Sequence, residues 1–379
     1  MMEVTCLLQP RDPLLVRDGR PFSADPGSQA RTLEWPLPST VAGAVRTHLG
    51  NLNNFEWSGD GPDKARSIAL RGPLMLVQRA GSGWEYYFSA PADAVVYKTE
   101  SEVITVARLS PFKPDADAGC NVPKGLSPLS VNEEFKPELG YDYWSGSDCV
   151  AWLSGKMEKP PENAMGKLAK DTRVHVRMNK NSGAHEQGGL FATESICMPD
   201  AQVKSDKPMV AMACRVCGEI DNMGEAGSFI TLGGEGRSSH IESEACAWPD
   251  CPEELKSAAS GKLLKLQLVT PGLFERGWLP AWIDRGTIPG VDGVKVKQIV
   301  SAAVPRRIPV SGWSYEKKTF GPKAARYACP AGTVFFLELE TDLTPVVFER
   351  LWLSSICDID QDNLDGFGLA IPGIWDYTS

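Results

Sequence analysis

Basic side chains concentrate in three segments of this sequence. The last of them alternates its charges with the aromatic residues Trp313, Tyr315 and Phe320. Cationic side chains neutralise phosphates and aromatic rings stack on unpaired bases, so this pattern favours binding of a single-stranded nucleic acid. The alternative is that the three rings belong to the core and the charges are their solvated neighbours. The basic residues are, segment by segment, Arg11, Arg17 and Arg20; Lys167, Lys170, Arg173, Arg177 and Lys180; and Arg306, Arg307, Lys317, Lys318 and Lys323.

The net charge of the whole chain, −9, argues against a nucleic-acid partner, because such proteins carry a basic surface. The charge is unevenly distributed, however. Residues 295–326 hold eight basic side chains against one acid, and residues 338–365 hold eight acids against one arginine. This asymmetry predicts one surface that faces an anion and another that faces water or a protein partner. The alternative is that both segments are ordinary solvated faces.

Sequence signatures of catalysis are missing. The chain has no G-x-S-x-G motif and no phosphate loop that ends in Gly-Lys-Ser/Thr. None of its four histidines stands in a recognisable catalytic motif. The glycine-rich run at residues 233–237 is not a dinucleotide fingerprint, because no helix pattern follows it, but its backbone amides are suited to approach a phosphate. We therefore predict no catalytic residue and no cofactor.

Four cysteines are the weak candidates for a structural zinc site, namely Cys214, Cys217, Cys246 and Cys251. Cys214 and Cys217 lie in a strand-like run, where positions three apart point to opposite faces. Joint binding of one ion would require a turn at that place. We therefore expect free buried thiols and no metal, with zinc as the alternative.

A helix is expected to begin at Ser39. The preceding residues 35–38 contain two prolines, and the hydroxyls of Ser39 and Thr40 are suited to cap the first helical turn. Apolar residues then recur at helical spacing from Val41 to Leu49. The helix start would therefore hold hydroxyls and backbone amides next to the first basic loop.

Short strands with few helices are expected elsewhere, because 36 glycines and 29 prolines interrupt the chain. Residues 171–191 predict a long β-hairpin, and a second unit is expected to start near residue 259. Residues 115–163 predict a loop-rich insertion that carries a small ordered cluster around Tyr141, Tyr143 and Trp144. Strands mixed with short helices in two halves indicate an α+β fold. The other predicted elements are strands at Val4–Gln9, Gly72–Gln78, Trp84–Ser89, Val210–Glu219, Ser228–Leu232, Leu263–Thr270, Val294–Val300 and Thr333–Glu340, and a helix at Pro345–Leu353.

The location of the protein is predicted from three features. No stretch approaches the ~20 apolar residues of a membrane helix. The N-terminus lacks the basic start of a signal peptide. The ten cysteines are scattered and do not form a disulfide framework. We expect a cytoplasmic protein without a membrane partner.

The same segments resemble a known family. Residues 8–22, LQPRDPLLVRDGRPF, and residues 35–46, WPLPSTVAGAVR, resemble the opening of subunit three of the Cmr complexes, the type III-B CRISPR effectors, in the repeat-associated mysterious protein (RAMP) superfamily. Further matching motifs follow in the family's order over nearly the whole chain. They are DTRVHV at 171–176 with GGLF at 188–191, GGEGR at 233–237, GWLP at 277–280, VSGW at 310–313 with Lys323 and Arg326, PAGTV at 330–334 and GFGLA at 366–370.

The resemblance implies two ferredoxin-like domains of the RNA-recognition-motif type, here residues 1–258 and 259–379, with the hairpin as a protruding thumb. It also implies a non-catalytic subunit that grips the repeat-derived 5′ handle of the guide RNA and meets target RNA only indirectly. The implied protein partners are the large polymerase-like subunit and the backbone RAMP subunits, in antiviral defence. The resemblance implies that RNA is bound by Arg11, Arg17, Arg20, Ser39, Thr40, Arg46, Arg173, His175, Arg177, Arg237, Arg306 and Arg307.

Two other functions stay open at this point. A repeat-processing endoribonuclease of the same superfamily would need a general base near the first helix or the glycine-rich run, where the sequence offers only His48 and His240. A zinc-stabilised interaction scaffold without RNA would instead use the four cysteines.

Overall fold

The computed structural model describes residues 2–19, 28–114, 119–131, 135–199, 208–223, 227–314 and 320–377. Four residues of the predicted basic and aromatic segments, Arg20, Tyr315, Lys317 and Lys318, lie outside these ranges. Within the ranges, every helix is too short or too polar to span a membrane.

Short strands dominate the chain as far as residue 243, with three helices between them. The strands are β1 (Met2–Pro10), β2 (Ser28–Ala30), β3 (Ala69–Gln78), β4 (Trp84–Ser89), β5 (Ala94–Lys98), β6 (Ile104–Arg108), β7 (Ser110–Pro111), β8 (Leu129–Ser130), β9 (Tyr143–Ser145), β10 (Lys170–Met178), β11 (His185–Ile196), β12 (Met209–Gly218), β13 (Ser228–Thr231) and β14 (Ser238–Ser243). The helices are α1 (Pro38–Leu52), α2 (Gly61–Ser67) and α3 (Gly146–Leu153).

Seven of these strands form one antiparallel sheet in the order β13-β14-β1-β12-β3-β4-β9. The inner strand β1 directs Val4, Cys6 and Leu8 into the core that it shares with Val45 and Leu49 of α1. Alternate residues of a strand share a face, and burial of a large apolar side chain contributes roughly 1.5–3 kcal/mol. The helix is therefore fixed across the sheet by its apolar stripe, which leaves its polar face outward.

The remainder of the chain forms a second set of short elements. They are α4 (Glu253–Ala258), β15 (Leu263–Leu268), β16 (Val296–Ala303), β17 (Ile308–Val310), β18 (Trp313–Ser314), β19 (Gly321–Pro322), β20 (Arg326–Ala328), β21 (Val334–Leu339), α5 (Pro345–Leu351), β22 (Ser354–Ser355), α6 (Asp360–Leu364) and β23 (Leu369–Ile374). Five of the strands form an antiparallel sheet in the order β16-β21-β15-β23-β22. The mixture of sheets and short helices confirms the predicted α+β class.

The two sheets share one hydrophobic core. Leu264 and Leu266 of β15 pack in the same cluster as Trp144 and Trp152, which come from β9 and α3. The turn before β23 also packs against the first sheet at Gly366, where a Cβ atom would lie 2.5 Å from the carbonyl oxygen of Gly72 on β3. Only glycine fits such a backbone approach. The division at residues 258/259 falls between the two sheets and stays a prediction, since one core extends across it.

Strands β10 and β11 form the antiparallel hairpin expected between residues 171 and 191, and it extends to Ile196. β11 also pairs in parallel with β2. The side chains of Val174, Val176 and Leu190 are about half exposed or more, at 66%, 47% and 56%. The hairpin therefore has an apolar face without a partner among the described residues.

Two predictions of local structure were wrong. Helix α1 begins at Pro38, and neither Ser39 nor Thr40 caps it with its side chain, because the proline already provides the fixed φ of the first helical position. The predicted insertion at 115–163 ends too late. Residues 143–153 form β9 and α3, with Ser145 accepting a hydrogen bond from the amide of Asp148 as a helix cap.

Candidate nucleic-acid interface

A groove of about 690 Å³ lies beside the first turns of α1. Four chain segments that are distant in sequence line it: the loop after β1, the outer face of α1, the region around β13, and the region around β18 and β19. Its lining includes no carboxylate among the described residues, although the chain as a whole is acidic. The lining residues are Leu15, Val16, Arg17, Ser39, Thr40, Gly43, Ala44, Thr47, His48, Asn51, Phe229, Ile230, Thr231, Gly233, Gly234, Ser311, Gly312, Trp313 and Lys323.

Helix α1 forms one wall of the groove with its polar face. Ser39 and Thr40 lie there in the first turn, and their hydroxyls make no capping bond. The amide of Thr40 donates to the carbonyl oxygen of Leu37 at 3.0 Å. The N-terminal end of a helix carries a partial positive charge, so this wall favours an anion.

The glycine-rich run acts differently from its expected role. Gly234 donates its amide to the carbonyl oxygen of Leu15 at 2.8 Å, so that amide is not available to a phosphate. Gly233 has a φ of 80°, and a Cβ atom there would lie 2.8 Å from the same oxygen. The glycines therefore let the loop after β1 pack closely, which places the exposed Arg17 on the groove.

Aromatic rings stand on both sides of the groove. Trp313 is 50% exposed and packs edge-on against Phe320, with the ring centroids 5.7 Å apart, while Phe229 is 61% exposed on β13. Lys323 follows on the strand pair that carries Trp313, and its amide donates to Gly312 at 2.8 Å. The alternative that Trp313 and Phe320 are core residues is therefore wrong.

His48 is the titratable histidine of the groove. Its Nε2 atom is buried without a hydrogen-bond partner among the described residues. Burial lowers the pKa of His48, so the imidazole is neutral at pH 7. The position of His48 on α1, one turn after Ala44, was predictable from the sequence. Its proximity to strand β13 was not, because no local pattern indicates it.

A family model described as CRISPR-associated protein (Cas_Cmr3) matches residues 6–375. The chain belongs to the Cas_Cmr3 family. This membership confirms the resemblance drawn from the sequence, and it makes the chain a subunit of a type III CRISPR effector complex. No curated protein matches the chain in sequence.

Solved structures of the same kind are similar to this Cas_Cmr3 chain. One is a chain of a cryo-EM structure of the type III-B Cmr-beta complex bound to cognate target RNA and AMPPnP, with a TM-score of 0.46 and 14% identity over 88% of this chain and 86% of that chain. Another belongs to a crystal structure of the Csm3–Csm4 subcomplex of the type III-A interference complex, with a TM-score of 0.36 and 12% identity over 98% and 99%.

None of the other described residues that the family resemblance implicates in RNA binding lines the groove. Arg11 is exposed at the edge of the loop after β1, and Arg237 pairs with Glu235 at 2.9 Å. Arg306 and Arg307 are exposed between β16 and β17, and the Arg307 guanidinium lies 4.0 Å from the centre of the Tyr327 ring.

The hairpin carries its three predicted residues on one face. Arg173 pairs with Asp171 at 2.7 Å, and Arg177 lies 3.7 Å from Glu186. The ring of His175 stacks on Phe191 with centroids 5.1 Å apart and hydrogen-bonds to the Thr193 hydroxyl at 2.9 Å. These pairings pre-orient the three side chains on a face opposite to Val174 and Val176.

Arg46 does not belong to the interface. Its residue is 8% exposed on the inner face of α1, and its guanidinium donates to the carbonyl oxygens of Ile68 and Leu364 and pairs with Asp365. These acceptors take four of the five N–H donors of the buried guanidinium, so it is not available to RNA. The predicted RNA contact of Arg46 is wrong.

The acidic and basic segments are not two separate faces. Lys297 pairs with Glu338 at 2.8 Å, and Arg326 makes two hydrogen bonds to Asp362 at 2.7 and 2.8 Å. Asp358 accepts bonds from the amides of Glu275 and Ala281. Two of the eight basic residues counted in 295–326 are therefore paired with acids of 338–365 within the fold.

The four candidate zinc ligands lie apart from each other. Cys214 on β12 opposes Cys6 on β1, whereas Cys217 lies 3.8 Å from a carboxylate oxygen of Glu3 and Cys246 lies 3.9 Å from the Tyr86 hydroxyl. The described residues contain no group of three or more potential metal ligands. Burial raises the pKa of Cys217, Cys246 and Cys251, so their thiols stay protonated at pH 7.

Proposed function

We propose that this chain holds the repeat-derived 5′ handle of the guide RNA as a non-catalytic subunit of a type III-B effector complex. The groove beside α1 is the observation that carries the proposal. It combines a helix N-terminus, Arg17, Lys323 and two exposed aromatic rings in a lining without a carboxylate. Such a surface attracts the phosphates of a single strand and offers ring faces to its bases.

The groove suggests how a strand would lie. Phosphates would accept hydrogen bonds from the hydroxyls of Ser39 and Thr40 and pair with Arg17 and Lys323. Bases would stack on Trp313 and Phe229 on either side. Because every base has a ring face, this arrangement by itself grips the backbone and does not read the sequence.

Each sheet is proposed to be a ferredoxin-like unit. Along the chain, these four strands of the first sheet occur in the order β1, β3, β12 and β14. In the sheet they lie in the order β14-β1-β12-β3, so the first and third of them are in the centre. The strands β15, β16, β21 and β23 repeat that arrangement as β23-β15-β21-β16. This repetition supports two related units, each with the β-α-β-β-α-β pattern reduced by loops in place of one helix.

The hairpin β10–β11 is proposed to act as a thumb at the point where guide meets handle. Arg173, His175 and Arg177 would face the RNA. The opposite face, with Val174, Val176 and Leu190 exposed, suits a protein surface instead, since aliphatic side chains neither pair with phosphates nor stack on bases as aromatic rings do. The proposed protein partners are the backbone RAMP subunits and the large polymerase-like subunit.

A second candidate function deserves a test because of one observation, the unpaired Nε2 of His48 in the groove. A neutral imidazole is able to accept a proton from a ribose hydroxyl, as in a repeat-processing endoribonuclease. Incubation of repeat RNA with the chain in a chelator, beside a His48→Ala variant, separates the two functions. We expect no cleavage by either protein. Cleavage by the wild type alone would establish the endoribonuclease.

Action in the cytoplasm is part of the proposal. The ten cysteines are all free, and seven of them are buried as thiols. Free thiols in such number are characteristic of a reducing compartment.

The decisive experiment isolates the tagged chain from its native host and sequences the small RNAs that accompany it. We expect RNAs with one shared repeat-derived 5′ end, together with other CRISPR subunits. An Arg17→Ala and Lys323→Ala double variant should lose most of the RNA. Lys64→Ala and Arg66→Ala on α2 remove the same charge outside the groove and serve as the control. A chain that emerges without RNA while its host expresses the CRISPR locus would refute the handle-binding function.

A further inference from the structure

The wall that α1 contributes to the groove has two parts. In the first turn, Ser39 and Thr40 hold hydroxyls at the positive end of the helix, which favours a phosphate. About two to three turns further on, the lining side chains are those of Thr47, His48 and Asn51. The charge of a helix end acts only over the first turn, so this second part suits a different chemical group.

Asn51 and Thr47 present a donor and an acceptor in the second part. The Asn51 Oδ1 atom accepts from the Trp57 indole at 2.8 Å, which fixes the side chain, and its amide nitrogen donates to no residue that the structure describes. The Thr47 hydroxyl donates to the carbonyl oxygen of Gly43 at 2.7 Å, so only its lone pairs remain for a ligand. Both residues are exposed on the groove. A ligand therefore meets an amide donor close to a hydroxyl acceptor.

His48 supplies the observation that points to a ligand. Its ring is partly exposed and lines the groove, but Nε2 is buried and has no hydrogen-bond partner among the described residues. Burial lowers the pKa of His48, so the ring is neutral and one of its nitrogens is an acceptor. The χ2 torsion of histidine is broad, so a rotation of the ring turns this nitrogen into the groove. Buried polar atoms normally have a partner, and here a bound group is able to provide it.

The three side chains lie close together on one face of α1. Positions three and four apart are neighbours on a helix, so His48 and Thr47 both adjoin Asn51. Strand β13 stands beside them, because Ile230 packs in the core cluster of α1, and the preceding residue Phe229 is exposed on the groove. A nucleotide whose base stacks on Phe229 therefore brings its sugar close to this face of the helix.

Among the parts of a nucleic acid, the ribose 2′-hydroxyl fits this cluster. It both donates and accepts a hydrogen bond, whereas a phosphate oxygen only accepts and deoxyribose has no hydroxyl at that place. A metal ion is a poorer fit, since the described residues contain no group of three or more potential ligands. The described lining also lacks a carboxylate, so a cationic ligand gains nothing there.

We propose that His48 and Asn51 hold one ribose 2′-hydroxyl in the groove, with the imidazole as acceptor and the Asn51 amide as donor, and that this contact makes the groove select RNA over DNA. The inference rests on the proposed handle binding and assigns the residues that recognise the sugar. Phosphate contacts and base stacking are common to both nucleic acids, so they do not make this distinction. No bond of the RNA is broken in this role, in contrast to the endoribonuclease.

The first test replaces each ribose of the recovered RNA in turn by deoxyribose and measures the affinity of the intact chain by fluorescence anisotropy. We expect one position at which the affinity falls about fivefold, in line with the loss of one hydrogen bond. A 2′-fluoro sugar at that position should bind as weakly as deoxyribose, because it keeps the ribose pucker and lacks the hydroxyl proton. Equal affinity of all the substituted strands would overturn the inference.

His48→Leu tests the acceptor, since leucine keeps a side chain of similar size on α1. We expect it to melt within ~2 °C of the wild type and to bind the ribose and deoxyribose strands equally. His48→Gln keeps a polar side chain with an acceptor and should retain the preference for ribose. His185→Leu removes a histidine that is exposed on the hairpin, outside the groove, and should also retain it. A His48→Leu variant that still prefers ribose at that position would remove the assigned role of His48.

The second test separates this inference from the proposed function. The recovered sequence is titrated against the wild type as RNA and as DNA, at one salt concentration. We expect the DNA to bind at least about fivefold more weakly. Similar affinities for the two strands would overturn the recognition of the sugar and leave the handle function intact. Absence of binding to either strand would refute the handle function, and this inference with it.

Discussion

Arg46 illustrates what a single residue contributes from the interior. Its three acceptors come from Ile68, Leu364 and Asp365, so it ties α1 to the loop that leads into β23. Removal of one partner of a buried pair leaves the other charge without compensation. We expect Arg46→Ala to lower the free energy of unfolding by about 3 kcal/mol, measured by urea denaturation.

The matched control for Arg46 is Arg66→Ala on α2. Arg66 lies 3.8 Å from Asp63 with a side chain that is 44% exposed. Surface pairs contribute about 0–1 kcal/mol, so this variant should unfold near the wild type. Equal losses in the two variants would contradict the structural role of Arg46. The sequence did not reveal that role, since the partner of Arg46 lies 319 positions away.

The burial of Lys265 leads to a prediction of how folding stability depends on pH. It is fully buried on β15, 2.8 Å from Asp93, which also accepts from the Trp152 indole at 2.9 Å. Burial lowers the pKa of Lys265 to about 8, against the partial compensation by Asp93. The unfolded chain therefore keeps a proton between pH 8 and 10.5 that the folded chain has lost, and stability rises with pH in that window.

The measurement compares urea unfolding of the wild type and Lys265→Met at several pH values. The difference in stability should be flat below pH 8, and above it the wild type should gain up to about 1.4 kcal/mol per pH unit relative to the variant. Lys265→Met is expected to be less stable throughout, because the buried Asp93 loses its ion pair with the lysine at 2.8 Å. The slope is therefore the readout, and parallel curves would show that Lys265 titrates normally.

At the scale of elements, the start of α1 allows binding and stability to be separated. An acid in the first helical turn stabilises a helix by about 0.3–1 kcal/mol, because it faces the positive end of the dipole. The same charge in the groove repels phosphate. We expect Thr40→Asp to melt no lower than the wild type and to bind the recovered RNA about tenfold more weakly in a filter-binding assay.

Ser67→Asp provides the control for Thr40→Asp, since Ser67 is exposed at the end of α2 and adds the same charge outside the groove. It should bind RNA like the wild type. If both variants lost affinity equally, the effect would reflect net charge, and the groove would lose its assigned place in RNA binding.

The hairpin is the element whose removal the fold should tolerate. Its strands are largely exposed beyond Val174 and Ala192, which face each other in register. We expect replacement of residues 175–191 by a two-residue Asn-Gly turn to change the melting temperature by less than about 2 °C. Association with the other subunits should be lost in co-purification. Retention of every subunit would exclude a role of the hairpin in assembly.

Strands with regular alternation were predictable from the sequence, and the eight predicted strands lie within three residues of the observed bounds. Order around Tyr143 and Trp144 was predicted, but helix α3 was not, because Gly146 and Ser147 look like a loop when the cap formed by Ser145 is not recognised. The polar stripe of α1, at Thr40, Gly43, Thr47 and Asn51, was available from the sequence as a signal for the groove. Its other walls come from distant segments that no local pattern brings together.

For the whole molecule, an acidic chain whose described groove lining is free of carboxylates is expected to bind RNA with an affinity that depends strongly on salt. Phosphate binding releases counterions, and with about five phosphates held, the affinity for single-stranded RNA should fall roughly a hundredfold between about 50 and 200 mM salt. Titration of the recovered RNA at several salt concentrations measures the slope. A flat response would mean that stacking, and not charge, holds the strand.

The position of β1 inside its sheet, with a neighbour on each side, has a consequence for synthesis. Its two neighbours are β12 and β14. Both edges of the first strand to leave the ribosome therefore stay unpaired until residues 209–243 have been synthesised. The ion pair of Arg46 forms later still, because its partner Asp365 lies near the end of the chain. Contacts of such sequence separation fold slowly and leave strand edges open in the meantime. We therefore expect the soluble yield of this subunit to depend on chaperones, or on slow translation, more than its ordinary composition suggests.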